Sequence, residues 1–173
     1  MPTTQTLDAQ TEWEVRDEPA PEELTEPLKA FGTWEKTPSR LSDRLAAIAR
    51  KELDAEIDRS QKILDLKEDW DGDQSPGYKA ETLDRAISFL ITHSEWLWKS
   101  YGIKAPVPRI GPGPDGSIDL YWKRKAWELL VNIPADTSKR ATFYGDNYGP
   151  EKTRGSFDPG TVNLSVAAWL IGR

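Results

Sequence analysis

Two short runs of alternating residues between Pro114 and Ile133 constrain the fold more than any other feature of the chain. In each run every second residue is apolar, the period-two pattern of a strand with one buried face. The buried positions are Ile118, Leu120 and Trp122 in the first run and Trp127, Leu129, Val131 and Ile133 in the second. The sequence therefore predicts an antiparallel hairpin whose structural residues lie on one side.

A turn at Arg124 and Lys125 gives this hairpin a definite register. It has three buried pairs: Trp122 with Trp127, Leu120 with Leu129, and Ile118 with Val131. On the opposite face it pairs Tyr121 with Glu128, and we expect these two side chains to be accessible. They are therefore candidate partner-binding residues.

Two amphipathic helices are predicted before the hairpin. Apolar residues recur at intervals of three and four over residues 41–64 and again over residues 83–98, which is helical spacing. The first helix is predicted to run from Thr37-Pro38 to about Lys67. The second is predicted to end near Gly102, because glycine is favoured in the position after a helix.

The loop between the predicted helices holds Trp70 among four acidic residues. A calcium loop that began at Asp69 would need glycine at its sixth position and glutamate at its twelfth, and the chain has Gln74 and Ala80 there. We therefore predict no metal site. Trp70 is expected to be structural and to pack inward between the helices and the sheet.

The remaining elements are more weakly patterned. Residues 105–110 are predicted as a short edge strand, residues 140–144 as a further strand, and residues 145–160 as a loop rich in Gly, Asp, Asn and Pro. Residues 161–171 fit both helical spacing and strand alternation, and helix is favoured.

Together these patterns predict a single α+β domain over residues 37–173. Two helices pack on one face of a small antiparallel sheet of three to four strands, and a C-terminal helix closes its edge.

Residues 1–36 have a different character. Within residues 1–30, eight acidic and two basic residues account for the whole formal net charge of −6. High charge, four prolines and few apolar residues predict a disordered acidic tail. Acidic segments with spaced apolar anchors can fold onto a basic partner. This makes Trp13, Leu24 and Leu28 candidate partner-binding residues, and an idle tail or one docked on the chain's own domain is the alternative.

Several function classes are excluded by composition. The absence of cysteine removes disulfides, thiolate nucleophiles and cysteine metal sites. His93 is the only histidine, so neither a catalytic triad of the usual kind nor a histidine metal cluster is available. It lies off the apolar face of the second helix and is predicted to point away from the core. No apolar run approaches a membrane span, and we predict a cytoplasmic protein without a membrane partner.

No cofactor and no catalytic residue is predicted. Residues 111–116 match G-x-G-x-x-G, but a strand and not a helix follows, and Pro112 and Pro114 have no N–H to offer a phosphate. Asp119 and Glu128 share the outer sheet face without lying opposite each other. A small hydrolase based on that carboxylate pair is the third-ranked function.

The hairpin tip supplies the alternative function. Lys123, Arg124 and Lys125 lie between two tryptophans, and basic residues beside aromatic ones can bind nucleic acid. The predicted register turns both tryptophans into the core, however, and an acidic chain lacks the broad basic footprint of nucleic-acid binders. Binding of nucleic acid is therefore ranked below binding of protein.

One stretch also carries a resemblance. The order of residues is Leu66, Trp70-Asp-Gly72, Pro76, Ala86 and Leu90, then Pro106, Asp115 to Trp122, and Leu129 to Ile133. Over about residues 63–133 the chain resembles a scattered group of small uncharacterised bacterial and phage proteins with W-D-G, a helix, and then D-G-x-I-x-L-x-W. The resemblance implies a setting near toxin–antitoxin-like or defence genes, and it brings no catalytic residues.

The leading functional hypothesis is a non-enzymatic, cytosolic protein-interaction module. It is of an antitoxin-like kind or part of a defence or anti-defence pair. Nucleic-acid-associated regulation through the hairpin tip is the alternative.

Overall fold

The structure, a computed structural model, describes residues 40–172 and has an α+β fold. Its helices are α1 (Arg40–Ser60), α2 (Ala80–Tyr101) and α3 (Leu164–Leu170). Its strands are β1 (Arg109–Pro112), β2 (Ile118–Lys123), β3 (Glu128–Ile133), β4 (Ala141–Asp146) and β5 (Lys152–Phe157). Short 3-10 turns occupy Gln61–Asp65 and Pro114–Gly116.

The five strands form one sheet in the order β1-β2-β3-β4-β5, and every neighbouring pair is antiparallel. The predicted antiparallel α+β class is confirmed. The number of strands is five and not three to four. The predicted C-terminal helix is present as α3, where the side chain of Asn163 accepts a hydrogen bond from the N–H of Val166.

The register of the central hairpin differs from the predicted one by two positions. Its inward pairs are Trp122 with Leu129, Leu120 with Val131, and Ile118 with Ile133. The turn is longer than expected: the N–H of Arg124 donates to the carbonyl of Trp127 over 2.8 Å, which leaves Trp127 outside the ladder. A shift of two keeps every side chain on its predicted face, because the side-chain period of a strand is two.

The core lies between the helices and one face of the sheet. All seven of the hairpin positions predicted to face the core are buried: Ile118, Leu120, Trp122, Trp127, Leu129, Val131 and Ile133. Helix α2 contacts β2 and β3, and α1 contacts β1. Trp169 of α3 packs beside Trp127, with ring centroids 6.2 Å apart.

Strand β5 occupies part of the segment predicted as a loop. Only Phe157 among its residues is a buried apolar side chain, so the segment shows no alternation to detect. Gly155 pairs with Phe143 of β4. A Cβ atom at Gly155 would lie 2.7 Å from Cε1 of Phe143. Because Gly155 has no side chain, the Phe143 ring of β4 packs over β5 at this point. The apolar surface that covers β5 here therefore comes from the neighbouring strand.

His93 points into the core, contrary to the prediction. It is 1% exposed, and its ring lies against that of Phe89 with centroids 4.0 Å apart. The prediction failed because it assigned Ile91 to the buried face of α2, whereas Ile91 is only half-buried. The segment that begins α3 folds back over His93 and covers it.

Trp70 also differs from its prediction. It is 40% exposed and contacts Tyr78, with ring centroids 6.2 Å apart. The loop that carries it is held by internal hydrogen bonds, such as that from the N–H of Gln74 to Oδ1 of Asp69. These polar contacts hold the loop at the surface, so the predicted inward packing of Trp70 is wrong.

Helix α1 is joined to the sheet by a buried carboxylate. Glu56 is 5% exposed, its Oε1 accepts a 2.9 Å hydrogen bond from the backbone N–H of Ile110, and its Oε2 pairs with Arg59. A strand at the edge of a sheet has backbone groups without a ladder partner, and Glu56 satisfies one of them. The predicted helix start at Thr37-Pro38 lies outside the described residues. The α-helix ends at Ser60 and continues as a 3-10 turn to Asp65, close to the predicted end at about Lys67.

Within residues 40–172, no helix is both long enough and apolar enough to cross a membrane.

Candidate functional site

The face of the sheet opposite the core is accessible in the described part of the chain. Alternate residues of each strand point to this side, and they are mostly exposed or half-buried. We call it the open face. Among its large side chains, Tyr144 is 36% exposed. An accessible sheet face with exposed aromatic residues is a candidate binding surface.

One residue from each strand forms a row across the open face. The pairings Arg109 with Tyr121, Tyr121 with Leu130, Leu130 with Tyr144, and Tyr144 with Arg154 follow one another through the sheet. Since neighbouring strands lie about 4.8 Å apart, the row is about 19 Å long. Its centre is aromatic and aliphatic, and each end is an arginine.

The side chains of the two terminal arginines have no partner among residues 40–172. Neither Arg109 nor Arg154 makes a hydrogen bond or an ion pair with the residues that the structure describes. Both residues are exposed. A guanidinium offers five N–H donors in a fixed planar arrangement. Each end of the row can therefore donate hydrogen bonds to a carboxylate of a partner.

The predicted pair Tyr121 and Glu128 meets on the open face, although not as direct cross-strand neighbours. Glu128 lies opposite Lys123 in the ladder, and the Tyr121 hydroxyl reaches diagonally to donate a 2.5 Å hydrogen bond to Glu128 Oε2. Tyr148 donates a longer bond of 3.3 Å to the same oxygen. The bond to Glu128, together with burial, raises the pKa of Tyr121 to about 12, so the phenol remains a donor at neutral pH.

A second carboxylate is held in the same way. Asp146 is 8% exposed and accepts two hydrogen bonds, one of 2.8 Å from the Tyr144 hydroxyl and one of 2.7 Å from the Tyr148 N–H. Its carboxylate also lies 3.1 Å from Nζ of Lys152. The Tyr144 hydrogen bond is the main cause that lowers the pKa of Asp146. Both acids of this region are thus engaged internally, and the charge left available at the ends of the row is positive.

Asp119 belongs to a separate polar cluster. Its Oδ1 accepts a 2.7 Å hydrogen bond from Nδ2 of Asn132, which also donates to Oγ of Ser117. Burial raises the pKa of Asp119. Asp119 faces Asn132 in the ladder, four residues from Glu128, so the Cα atoms of the two acids are about 13 Å apart.

The hairpin tip adjoins the open face. Lys123, Arg124 and Lys125 are exposed and have no side-chain partner among the described residues. Trp122 and Trp127 are buried, so neither indole is available at the tip to stack on a base. Any aromatic stacking would have to come from the tyrosines of the row.

Other predicted elements of the site cannot be placed. Trp13, Leu24 and Leu28 lie outside the described residues. Within residues 40–172, no group of three or more His, Asp or Glu side chains is arranged to hold a metal ion.

Four residues of the row were not predicted as site residues: Arg109, Leu130, Tyr144 and Arg154. Leu130 was expected on the outer face by alternation alone, and Tyr144 lay in a predicted strand. Nothing in the sequence marked Arg154, because its strand was not detected. The row becomes visible only when four separate strand pairings are known.

Comparisons with protein-family models, with curated proteins and with solved structures found no match to the chain.

Proposed function

We propose that this chain is a non-enzymatic protein-interaction module that binds its partner on the open face. The observation that carries the proposal is the row from Arg109 to Arg154, with tyrosines and a leucine between two arginines whose side chains have no partner in the described part of the chain. Tyrosine and arginine are enriched among the residues that dominate protein–protein binding energies. The row combines both types on one rigid, hydrogen-bonded sheet.

The chemistry of the row defines the partner. Its centre, Leu130 between Tyr121 and Tyr144, is suited to an apolar or aromatic anchor. Its ends require acceptors, and carboxylates form the strongest bidentate pairs with arginine. The partner is therefore a protein surface with an apolar centre and with acidic residues about 19 Å apart.

The acidic tail is a second contact in this proposal. Trp13, Leu24 and Leu28 would bind a basic region of the same partner while the open face binds an acidic one. Two linked contacts raise the overall affinity through effective concentration. The resemblance to phage and bacterial proteins supports an antitoxin-like role, or a role in a defence or anti-defence pair.

Nucleic-acid binding is the second candidate. The observation in its favour concerns Lys123, Arg124 and Lys125, which are exposed and lie next to a face that carries tyrosines and arginines. Their side chains make no hydrogen bond or ion pair within residues 40–172. A single strand could cross the tyrosines and place phosphates at the tip. Against it, the same face carries Asp119, Glu128 and Asp146, which repel phosphate.

The test begins with a pull-down from the native host, followed by affinity measurements on the purified partner. Tyr144→Ala and Arg154→Ala should each weaken binding at least about tenfold, with unchanged melting temperature. Tyr101→Ala is the matched control, because Tyr101 is 54% exposed on α2 and lies outside the open face.

The opposite pattern would overturn the proposal. If the Tyr144 and Arg154 variants bind the partner like wild type, the open face is not the contact surface. If instead replacement of Lys123, Arg124 and Lys125 abolishes binding to a single-stranded oligonucleotide, and that affinity falls steeply with salt, the nucleic-acid function is correct.

A further inference from the structure

A cleft away from the open face gathers positive charge. It lies between α2, the β3–β4 loop and the β5–α3 loop, and its volume is about 580 Å³. Helix α2 contributes Arg85 and Ser88, and the loops contribute residues 137–140 and 158–160. We call it the basic cleft. A cavity of this size is within the range of sites for small molecules, about 300–1,000 Å³.

Three cations, Arg85, Lys139 and Arg140, line the basic cleft, and none of them has an ion-pair partner within 4.0 Å among residues 40–172. Like charges held close together repel, and this repulsion destabilises the folded chain. A bound anion would relieve it.

Asp158 and Asp136 each accept hydrogen bonds from residues of their own backbone turn. Asp158 lines the cleft and its Oδ1 accepts a 2.8 Å hydrogen bond from the N–H of Gly160. Oδ1 of Asp136 accepts from both the N–H and the hydroxyl of Ser138, at 2.9 and 2.7 Å. The hydroxyl bond is the largest cause that lowers the pKa of Asp136, and the nearby charges of Lys139 and Arg85 add to it. The lining of the cleft itself holds three cations and one acid, Asp158, so its charge is net positive.

Both guanidinium groups are oriented by the protein. Nη1 of Arg85 donates over 3.0 Å to the carbonyl of Pro134, and Nη2 of Arg140 donates over 3.3 Å to the carbonyl of Ser156. Each bond uses one of five N–H groups, so the remaining donors stay free while the side chain is held. The hydroxyls of Ser88 and Thr137 line the same cleft and have no partner among the described residues, so both can donate as well.

We propose that the basic cleft binds a small phosphate-bearing anion. Oriented guanidinium groups form paired hydrogen bonds with phosphate oxygens, and Lys139 adds an exposed ammonium that lines the same cleft. A phosphate group alone would fill only part of the cleft, which leaves room for an attached organic group. This site is separate from the open face, so it adds a ligand to the proposed protein-binding function.

The test is a titration of the full chain with inorganic phosphate, pyrophosphate and adenosine monophosphate. Affinity is measured by calorimetry and by two-dimensional NMR, with sodium chloride at matched ionic strength as the reference. Saturable binding is expected, with shifts at Ser88, residues 137–140 and residues 158–160. Tighter binding of adenosine monophosphate than of phosphate would show that the rest of the cleft takes the organic group, and equal binding would show that the phosphate alone is recognised.

Two variants and one control test the assignment to this cleft. Lys139→Gln and Arg140→Gln should each weaken the binding of pyrophosphate about five- to tenfold. Lys125→Gln removes an exposed cation from the hairpin tip and should leave it unchanged. Binding that does not saturate, that sodium chloride reproduces at equal ionic strength, or that both cleft variants retain would overturn the proposal. Since the Lys139 side chain is exposed and makes no hydrogen bond or salt bridge with a described residue, its variant remains informative even if Arg140→Gln fails to fold.

Discussion

Nε2 of His93 accepts a 3.0 Å hydrogen bond from the backbone N–H of Asn163, the residue before α3. An N–H can only donate, so this nitrogen carries no proton. Nδ1 lies 3.0 Å from the carbonyl of Phe89 and holds the proton that donates to it. A neutral imidazole thus joins α2 to the start of α3 inside the core.

This contact predicts a stability that depends on pH. Burial lowers the pKa of His93 below its usual 6.5, and the bond to Phe89 opposes this in part. The unfolded chain therefore binds a proton more readily than the folded chain, so the free energy of unfolding should fall as pH drops below about 6.5 and continue to fall until the folded pKa is passed. Chemical denaturation between pH 7.5 and pH 5 measures this, and His93→Gln should flatten the slope. An equal slope in the variant would assign the effect to other groups.

Gly145 is predicted to be essential for packing. A Cβ atom there would lie 2.4 Å from Cε2 of Trp169, which is less than a van der Waals contact. Gly145→Ala should therefore lower the free energy of unfolding by about 1–3 kcal/mol, as overpacking does. Gly111→Ala on edge strand β1 is the control, since nothing lies within 4 Å of its added carbon. Equal denaturation midpoints for the two variants would contradict the close approach of α3 to β4.

Substitutions on the two faces of β2 should lower the free energy of unfolding by different amounts. Leu120 is fully buried, and Leu120→Ala should cost about 2–5 kcal/mol, as large-to-small changes in a core do. Tyr121 is half-buried on the open face, and Tyr121→Ala should cost much less, although it also removes the hydrogen bond to Glu128. Urea denaturation of both variants is the measurement, and equal losses would mean that the open face is covered.

Tryptophan replacements should separate a surface loop from the core. Trp70 is 40% exposed, so Trp70→Ala should lower the free energy of unfolding by about 1 kcal/mol or less. Trp122 is 1% exposed and its Nε1 donates over 2.7 Å to the carbonyl of Pro106, so Trp122→Ala should cost about 3–5 kcal/mol. Thermal denaturation distinguishes them. A large loss at Trp70 would restore the inward packing that the sequence predicted.

The acidic tail should matter for binding and not for folding. Deletion of residues 1–30 should leave the melting temperature of the remaining chain almost unchanged but weaken partner binding at least about tenfold. Trp13→Ala should reproduce a good part of that loss, because a single aromatic anchor often dominates a segment of this kind. If the shortened chain binds as tightly as the full chain, the open face alone carries the interaction.

Much of the hairpin could be predicted because its information is local. Successive side chains of a strand point to opposite faces whatever its partner is, so Ile118, Leu120 and Trp122 were assigned to the core side from their spacing alone. The register of the hairpin could not be predicted from the spacing of apolar residues alone. It depended on whether the turn held two residues or the four from Arg124 to Trp127, and both turns satisfy the same alternation.

The candidate site depended on still more distant choices. The row from Arg109 to Arg154 exists only because four strand pairings align one residue from each strand. Strand β5 could not be detected because its cover comes from Phe143 on another strand and not from its own apolar residues.

The sequence by itself determined the α+β class, the inward and outward residues of the hairpin, and the end of α2 at Gly102, where a positive φ of 66° suits glycine. Each of these follows from backbone geometry within a few residues. Tertiary structure alone decided the burial of His93 under the start of α3, the exposure of Trp70, and the row on the open face. Those features arise where segments far apart in the chain meet, and a local pattern does not specify which segments meet or in what register.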